Sequence, residues 1–425
     1  MYHKFQQLLK LVIHLRRPKE AQPGGPGAAL PGRLLHMLPP KLVIAGGNGF
    51  LGQHLARHFR QRGYRVVVVG RGSGAGPDYL RWDGRTLGPW AAALEGAAAL
   101  VNLAGRTVDC RYTAANKRAV RASRTESTRV LGEAVAACAA PPKVWLNSST
   151  ATIYADTPGE QPANTETEGR IGEGFSVEVA RAWEAAFAAC PAPATRRVVL
   201  RTAIVLGRDG GAFPVMARLA RRGLGSPQGN GRQWMSWLHI VDFCRAVEFL
   251  LQEPTATGAF NLCAPQPLPN RDFMGLLCQQ LRPVLRLPQP KWLLEMGAFV
   301  LRTETELILK SRKVYPQRLL ELGFSFEFPA CGEALNDLLR AEKPTHITTQ
   351  PVKTAKSHKF SSTLVIAGFL IFIIPYFQIP GAALLLIGSL MNVSSTRTRR
   401  QKVFWLLPLM THVLLIASIV YLSLS

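Results

Sequence analysis

Gly46, Gly49 and Gly52 stand three residues apart, directly behind the apolar run Leu42-Val43-Ile44-Ala45 and ahead of a stretch carrying apolar Leu51, Leu55 and Phe59. A strand that runs into such a turn and leaves it as a helix makes an anion site. The turn is tight, bare backbone lets a phosphate approach, and the helix amino terminus aims free N–H groups and a positive dipole at the charge. Gly46, Asn48, Gly49, Phe50, Leu51 and Gly52 are therefore the candidate contacts for the pyrophosphate of a dinucleotide. The flanking strand and helix carry this assignment, because glycine-rich turns alone are common.

A second apolar run, Val66-Val67-Val68-Val69, ends in Gly70-Arg71. A carboxylate at that strand end would take the ribose hydroxyls of NAD, whereas an arginine suits the 2′-phosphate of NADP. With no acid there, Arg71 favours NADP, with NAD as the alternative; the competing reading of Arg71 is a solvated loop residue. A third run ends in Asn102-Leu103-Ala104-Gly105, and a fourth in Asn147-Ser148-Ser149-Thr150. Small and hydroxyl residues at strand carboxyl ends line the ligand crevice of open α/β sheets, so Leu103, Ala104, Gly105, Ser148 and Ser149 join the cofactor set.

Positioning these residues calls for a parallel sheet wrapped by helices. The alternation of short apolar runs with helical periodicity predicts strands near 42–46, 66–69, 99–103, 143–147 and 197–202. Helices are predicted near 50–62, 114–138 and 176–189. The fold class is α/β, a Rossmann-type doubly wound parallel sheet over 41–284, with a small carboxyl-terminal substrate subdomain over 285–342. Beyond Gly207 the regularity weakens into Gly/Pro-rich loops and short elements, expected to build the substrate side of the cleft.

The flanks differ in kind. Residues 1–40 hold six Lys/Arg against one Glu and read as a basic amphipathic arm followed by a Pro/Gly linker. Residues 343–360 form a basic linker, and 361–425 are strongly apolar. The segment 404–424 has the length of a membrane-spanning helix and follows Arg397, Arg399, Arg400 and Lys402, whereas 364–391 reads as a hairpin or a kinked span. Half of the formal charge of +24 lies in these flanks, which points to a lipid bilayer with the nucleotide-binding domain on its cytoplasmic side. No RNP-like aromatic motif or zinc spacing supports nucleic acid as a partner. Seven scattered cysteines without a C-x-x-C pair read as a reduced, metal-free interior.

In their order, these features resemble the extended short-chain dehydrogenase/reductase superfamily, and more closely its SDR39U1-like or YfcH-like epimerase branch. The marks are Asn102-Leu103-Ala104-Gly105, Ser123-Arg124, Trp183-Glu184, Leu200-Arg201-Thr202, and Trp234-Met235-Ser236-Trp237-Leu238-His239. The resemblance covers about 41–340. It implies an NAD(P)-dependent oxidoreductase or epimerase acting on a carbonyl or hydroxyl of a small molecule, with a homodimer as a compatible assembly.

The resemblance also implies a Tyr-x-x-x-Lys pair, in which the lysine lowers the tyrosine pKa for proton exchange with the substrate. Counting back from Glu184 puts Ser176 and Ala180 at those two positions, and no tyrosine in the chain has a lysine four residues later. An asparagine of the family is likewise replaced by Arg124. Thr150 matches the catalytic Ser/Thr, and Tyr154 is the substitute acid, against a structural role common in the superfamily. His239, ahead of Asp242, reads as a hydrogen-bonded structural histidine, and Arg201 and Arg232 as paired or surface residues rather than anion ligands. The expected function is a membrane-tethered NADP-dependent enzyme with Thr150 and Tyr154 as catalytic residues. The alternative is a non-catalytic NADP-binding regulatory or assembly factor at the membrane.

Overall fold

The computed structural model describes residues 39–72, 74, 76–283 and 310–340. Its centre is a seven-stranded, wholly parallel sheet of β1 (Lys41–Ala45), β2 (Arg65–Gly70), β3 (Tyr79–Arg81), β4 (Ala99–Asn102), β5 (Val144–Thr150), β6 (Arg196–Thr202) and β7 (Gly258–Leu262). Their order across the sheet is β7-β6-β5-β4-β1-β2-β3. The central ones are continuous apolar runs because both faces of the sheet are covered, leaving no solvent face to demand alternation.

Helix α1 (Phe50–Gln61) packs one face through Leu55 and Phe59, beside α5 (Ile240–Gln252) with Phe243, Val247 and Leu250. The other face is covered by α2 (Ala114–Ala136) and α3 (Phe175–Ala188), whose Leu131, Val135 and Phe187 meet Leu100 and Trp145. Apart from the described sheet, α4 (Phe213–Arg221), α6 (Asn270–Leu281) and α7 (Cys331–Leu339) form a third core around Trp237, Phe273 and Leu335.

Registry brings the chemistry-bearing strand ends to one edge. Ala45 lies opposite Val69 on one side and Asn102 on the other, Asn102 faces Asn147, and Thr150 faces Thr202. From β1 the chain steps outward through β2 and β3 and then returns to the opposite side for β4, so the crevice opens beside β1, where the winding reverses.

Three differences from the sequence reading stand out. Strand β3 was not anticipated; it is short, with no alternation to mark it, and is held by pairing Val68 with Tyr79. Strand β5 continues to Thr150, so the hydroxyl cluster belongs to the strand rather than a following loop. The region after Gly207 is more regular than expected, since α4, α5 and α6 run 9, 13 and 12 residues. Gly and Pro between these helices masked their separate amphipathic periods. The expected arm before residue 39, the linker 343–360 and both apolar segments of 361–425 lie outside the described residues. Among the described residues, no helix is long and apolar enough to cross a membrane.

Residues 310–340 are stitched to the body. Asn164 forms a bridge with Val314, whose N–H donates to Ser236 Oγ at 2.9 Å. Asp242 accepts the N–H groups of Glu327 and Phe328, each at 2.8 Å.

Candidate active site and nucleotide cleft

The turn between β1 and α1 is built for close approach. Gly46 has φ +79°, and a Cβ there would sit 2.8 Å from the Leu103 carbonyl. At Gly52 an added Cβ would lie 2.5 Å from Gly47 Cα, so the helix can pack on the turn only with glycine. Gly49 is different: its φ is −75°, and an added Cβ would meet only Gly46 O, at 3.5 Å. Neither strain nor packing demands glycine at this position. No side chain caps α1 and its first turn carries no acid, so its amino end is left to an anion. This bare cradle fits a dinucleotide pyrophosphate.

Two cavities meet at the turn and share Gly46, Gly49 and Leu103. The larger, about 690 Å³, runs over the ends of β2 and β3 and is lined by Asn48, Gly70, Arg71, Ala104 and Gly105. Arg71 forms no ion pair among the described residues. Asn48 Nδ2 donates to the Tyr79 hydroxyl at 3.0 Å, and that hydroxyl donates to Gly70 O at 2.9 Å. The loop bearing Arg71 is thereby tied to the glycine turn through a tyrosine on the strand the sequence did not reveal. Arg85 lines the same cavity and pairs with Glu126 at 3.0 Å; it was missed because it lies beyond β3. Near it, Asp83 feels a little burial, which raises its pKa, but the N–H groups of Arg85 and Thr86 and the Thr86 hydroxyl prevail and hold it below the ordinary value.

The smaller cavity, about 350 Å³, lies over β5 and β6 between α2 and α3. Phe50, Leu51 and Gly52 of the turn, Ser148, Ser149 and Thr150 of β5, and Thr202 line it. Thr150 Oγ1 accepts Thr152 N–H at 3.2 Å and lies 3.1 Å from Thr152 Oγ1, which fixes its rotamer at the cavity wall. Ser149 Oγ instead donates to Glu184 at 2.6 Å. Ser176, at the family's tyrosine position, also lines this cavity, while Ala180 is fully buried.

The structure removes Tyr154 from the catalytic set. Its side chain is 0% exposed, and its hydroxyl donates to Asn261 Oδ1 at 2.8 Å while accepting from Arg201 at 2.9 Å. Burial raises its pKa, against a smaller opposing pull from Arg201. A buried, doubly engaged phenol that lines neither cavity has no path to a ligand proton. Arg201 is bidentate to Glu184, at 3.0 and 2.9 Å, so it is a core pair and not an anion ligand. Arg232 is exposed and lines neither cavity. His239 is buried behind the site, its Nδ1 accepting Val241 N–H at 3.3 Å and its ring packed on Phe328.

Polar residues deeper in the cleft are framework. Asn102 Nδ2 donates to Asn147 Oδ1 at 2.7 Å and to Thr128 Oγ1 at 3.2 Å, and Trp183 Nε1 donates to Thr128 at 3.0 Å. This buried network locks β4, β5, α2 and α3 together below the cavity floor. The sequence reading did not identify Tyr112, Phe175, Val179 and Thr202 as cavity walls. All described residues around the smaller cavity come from 46–202, so the expected contribution from beyond Gly207 is not seen among them.

The NAD dependent epimerase/dehydratase family matches residues 42–263, and a domain of unknown function, DUF1731, matches 289–338. The Epimerase family protein SDR39U1 of Bos taurus is 32% identical over 307 residues, spanning 70% of this chain and 99% of its own length. The Epimerase family protein SERP0438 of Staphylococcus epidermidis is 30% identical over 305 residues, spanning 71% and 99%. Among solved structures, human epimerase family protein SDR39U1 (isoform2) with NADPH superposes with a TM-score of 0.63 at 31% identity, covering 70% of this chain and 98% of that one.

Proposed function

Because the chain belongs to the NAD dependent epimerase/dehydratase family, we propose that it binds NADP across the Gly46 to Gly52 turn and acts on a carbonyl or hydroxyl of a small molecule in the smaller cavity. The observation that carries this reading is the junction itself: a bare glycine cradle shared by two cavities, one flanked by Arg71 and the other by Thr150. The relative solved with NADPH supports NADP over NAD, as does the arginine at the end of β2. The bound nicotinamide supplies or accepts the hydride.

The chain's own residues then have separable tasks. Gly46, Gly49 and the amino end of α1 hold the pyrophosphate, and Arg71 takes the 2′-phosphate. Thr150 hydrogen-bonds the reacting oxygen and turns the substrate carbon toward the cofactor site. A threonine hydroxyl is too weak an acid to replace a lysine-activated tyrosine, so the proton joining or leaving the substrate oxygen is exchanged with water. Positioning without a strong acid gives slow turnover rather than none.

Full-length protein is incubated with NADPH and a panel of carbonyl compounds while absorbance is followed. The expected result is turnover that drops about 100-fold in Thr150→Ala, within the range of a lost proton-handling or oxyanion contact, with NADPH affinity unchanged. In the same preparation Arg71→Ala should weaken NADPH at least tenfold and leave NADH alone; equal loss for both would remove Arg71 from the 2′-phosphate. The replaced Tyr-x-x-x-Lys pair and the buried Tyr154 favour a second reading, a non-catalytic NADP-binding factor. Tight NADPH binding with no turnover on any substrate would select it.

The membrane tether and the cytoplasmic placement of the nucleotide-binding domain belong to the same proposal, supported by the apolar 364–391 and 404–424 and the arginines between them. In membrane vesicles, protease should reach 343–360 and 392–403 from the same, cytoplasmic face. Cleavage of these two segments from opposite faces would rule out the hairpin, and release of the whole chain by a salt wash would rule out the tether.

A further inference from the structure

Arg124 of α2 lines the smaller cavity together with Thr150 and is the one Lys or Arg among its described lining residues. Its guanidinium has several N–H donors, yet Nη1 donates only to Val120 O of its own helix, at 3.0 Å, and the group lies 5.2 Å over the Trp183 ring. No carboxylate pairs with it among the described residues, in contrast to Arg201, whose charge is fully met by Glu184. Gly105 leaves room for it: an added Cβ would stand 3.4 Å from Arg124 Cζ.

A partly buried cation without a counter-ion is costly. Burial pushes the Arg124 pKa down to about 10, and the nearby Tyr112 pulls the other way, so the group is still charged at neutral pH. Around it the walls are apolar and aromatic: Val108, Val179, and the edge-to-face pair of Tyr112 and Phe175 with centroids 4.8 Å apart. The cavity is at the small end of ligand pockets. A single cation matches one negative charge and leaves a diphosphate or a phosphate dianion undercompensated.

Building on the NADP-dependent reading above, we propose that Arg124 is the substrate anchor, taking the carboxylate of a small, largely apolar oxo or hydroxy acid and setting the distance from that carboxylate to Thr150. A planar guanidinium fits a carboxylate with two parallel hydrogen bonds, which fixes orientation as well as position. The apolar walls then hold the rest of the molecule, and a nucleotide sugar is disfavoured on charge and size alike.

The test uses the full chain loaded with NADPH and a panel of aryl and alkyl 2-oxo acids, phenylpyruvate among them, each beside its methyl ester. Calorimetry gives the affinities, and cofactor fluorescence gives NADPH binding. At least one acid should bind the wild type ten times more tightly or better than its ester. Arg124→Met should erase that preference, Arg124→Lys should keep part of it, and NADPH affinity should stay within twofold. The proposal is overturned if no acid outbinds its ester on the wild type, or if Arg124→Met retains the preference. It is also overturned if a variant that melts like the wild type loses NADPH, which would assign Arg124 to the cofactor. Should Arg124→Met not fold, Arg124→Lys and the wild-type comparison decide. Failure of the wild type to bind NADPH would strike the underlying reading instead, whereas acid preference without turnover leaves the anchor standing and removes only catalysis.

Discussion

Gly46 and Gly49 lie three residues apart in one turn and answer to different forces. At Gly46 the backbone is left-handed and the Leu103 backbone is 2.8 Å from where a Cβ would stand, so the fold itself demands glycine. At Gly49 the fold demands nothing. Gly46→Ala should therefore destabilise the protein by about 1–3 kcal/mol, read as a lower melting temperature with or without cofactor. Gly49→Ala should melt within a degree or two of the wild type, on the order of a surface substitution, and lose NADPH affinity at least tenfold. If Gly49→Ala binds NADPH normally, the pyrophosphate does not approach the turn as described. The same distinction between fold and ligand separates Arg201, whose charge is met by the Glu184 carboxylate, from Arg124, which meets a carbonyl and an aromatic ring but no carboxylate among the described residues.

At the level of elements, the cleft depends on how α3 is fastened to the sheet. Glu184 of α3 accepts from Ser149 on β5 and from Arg201 on β6, and Arg201 passes the connection to Tyr154 and Asn261. This chain of polar contacts sets the distance between α3, which brings Ser176 and Val179 to the cavity, and β5, which brings Thr150. Glu184→Ala leaves the Arg201 cation without its partner. The expected loss is about 3 kcal/mol, at the low end for breaking a buried pair because 13% and 18% of the two side chains stay exposed. Chemical denaturation measures it. A double variant Glu184→Ala/Arg201→Met should recover part of the loss, and an unchanged midpoint in the single variant would show that the pair does not hold α3.

Across the whole molecule, residues 310–340 close over the back of the site through His239 and Asp242. His239 Nε2 faces Asp337 at 3.4 Å, Arg208 also contacts Asp337, and Asp242 holds both Arg245 and the 327–328 backbone. Burial lowers the His239 pKa, outweighing the pull of Asp337 and Asp242 in the opposite direction, with Arg208 lowering it further. A histidine whose folded pKa is depressed is neutral in both states above the unfolded value of about 6.5 and contributes nothing to pH dependence there. Below that value the unfolded chain takes up a proton that the folded chain resists, so stability falls as pH falls. One such group gives a slope of at most about 1.4 kcal/mol per pH unit. Melting of the wild type between pH 7.5 and 5.5 should show this loss, and His239→Asn should flatten it. A profile identical in wild type and variant would mean that this histidine is not what resists the proton.

Sequence alone determined the strand, turn and helix of the first β–α unit, the arginine at the end of β2 and the absence of a Tyr-x-x-x-Lys pair. These are local or compositional properties: glycine spacing, a continuous valine run and a scan of tyrosines need no partner from elsewhere in the chain. Tertiary structure decided which side chains face a ligand. Tyr154 was open to either role from sequence, Arg124 stood only as the replacement of an asparagine, and the fates of both depend on distant neighbours. Asn261, 107 residues along the chain, caps the Tyr154 hydroxyl, whereas no acid among the described residues reaches Arg124. Tyr79, which ties the Arg71 loop to the glycine turn, was hidden for the same reason, since its strand exists only through pairing with β2. Partner supply, set by packing across the sheet, turned one predicted catalytic residue into framework and one replacement without an assigned role into the cation that faces the cavity.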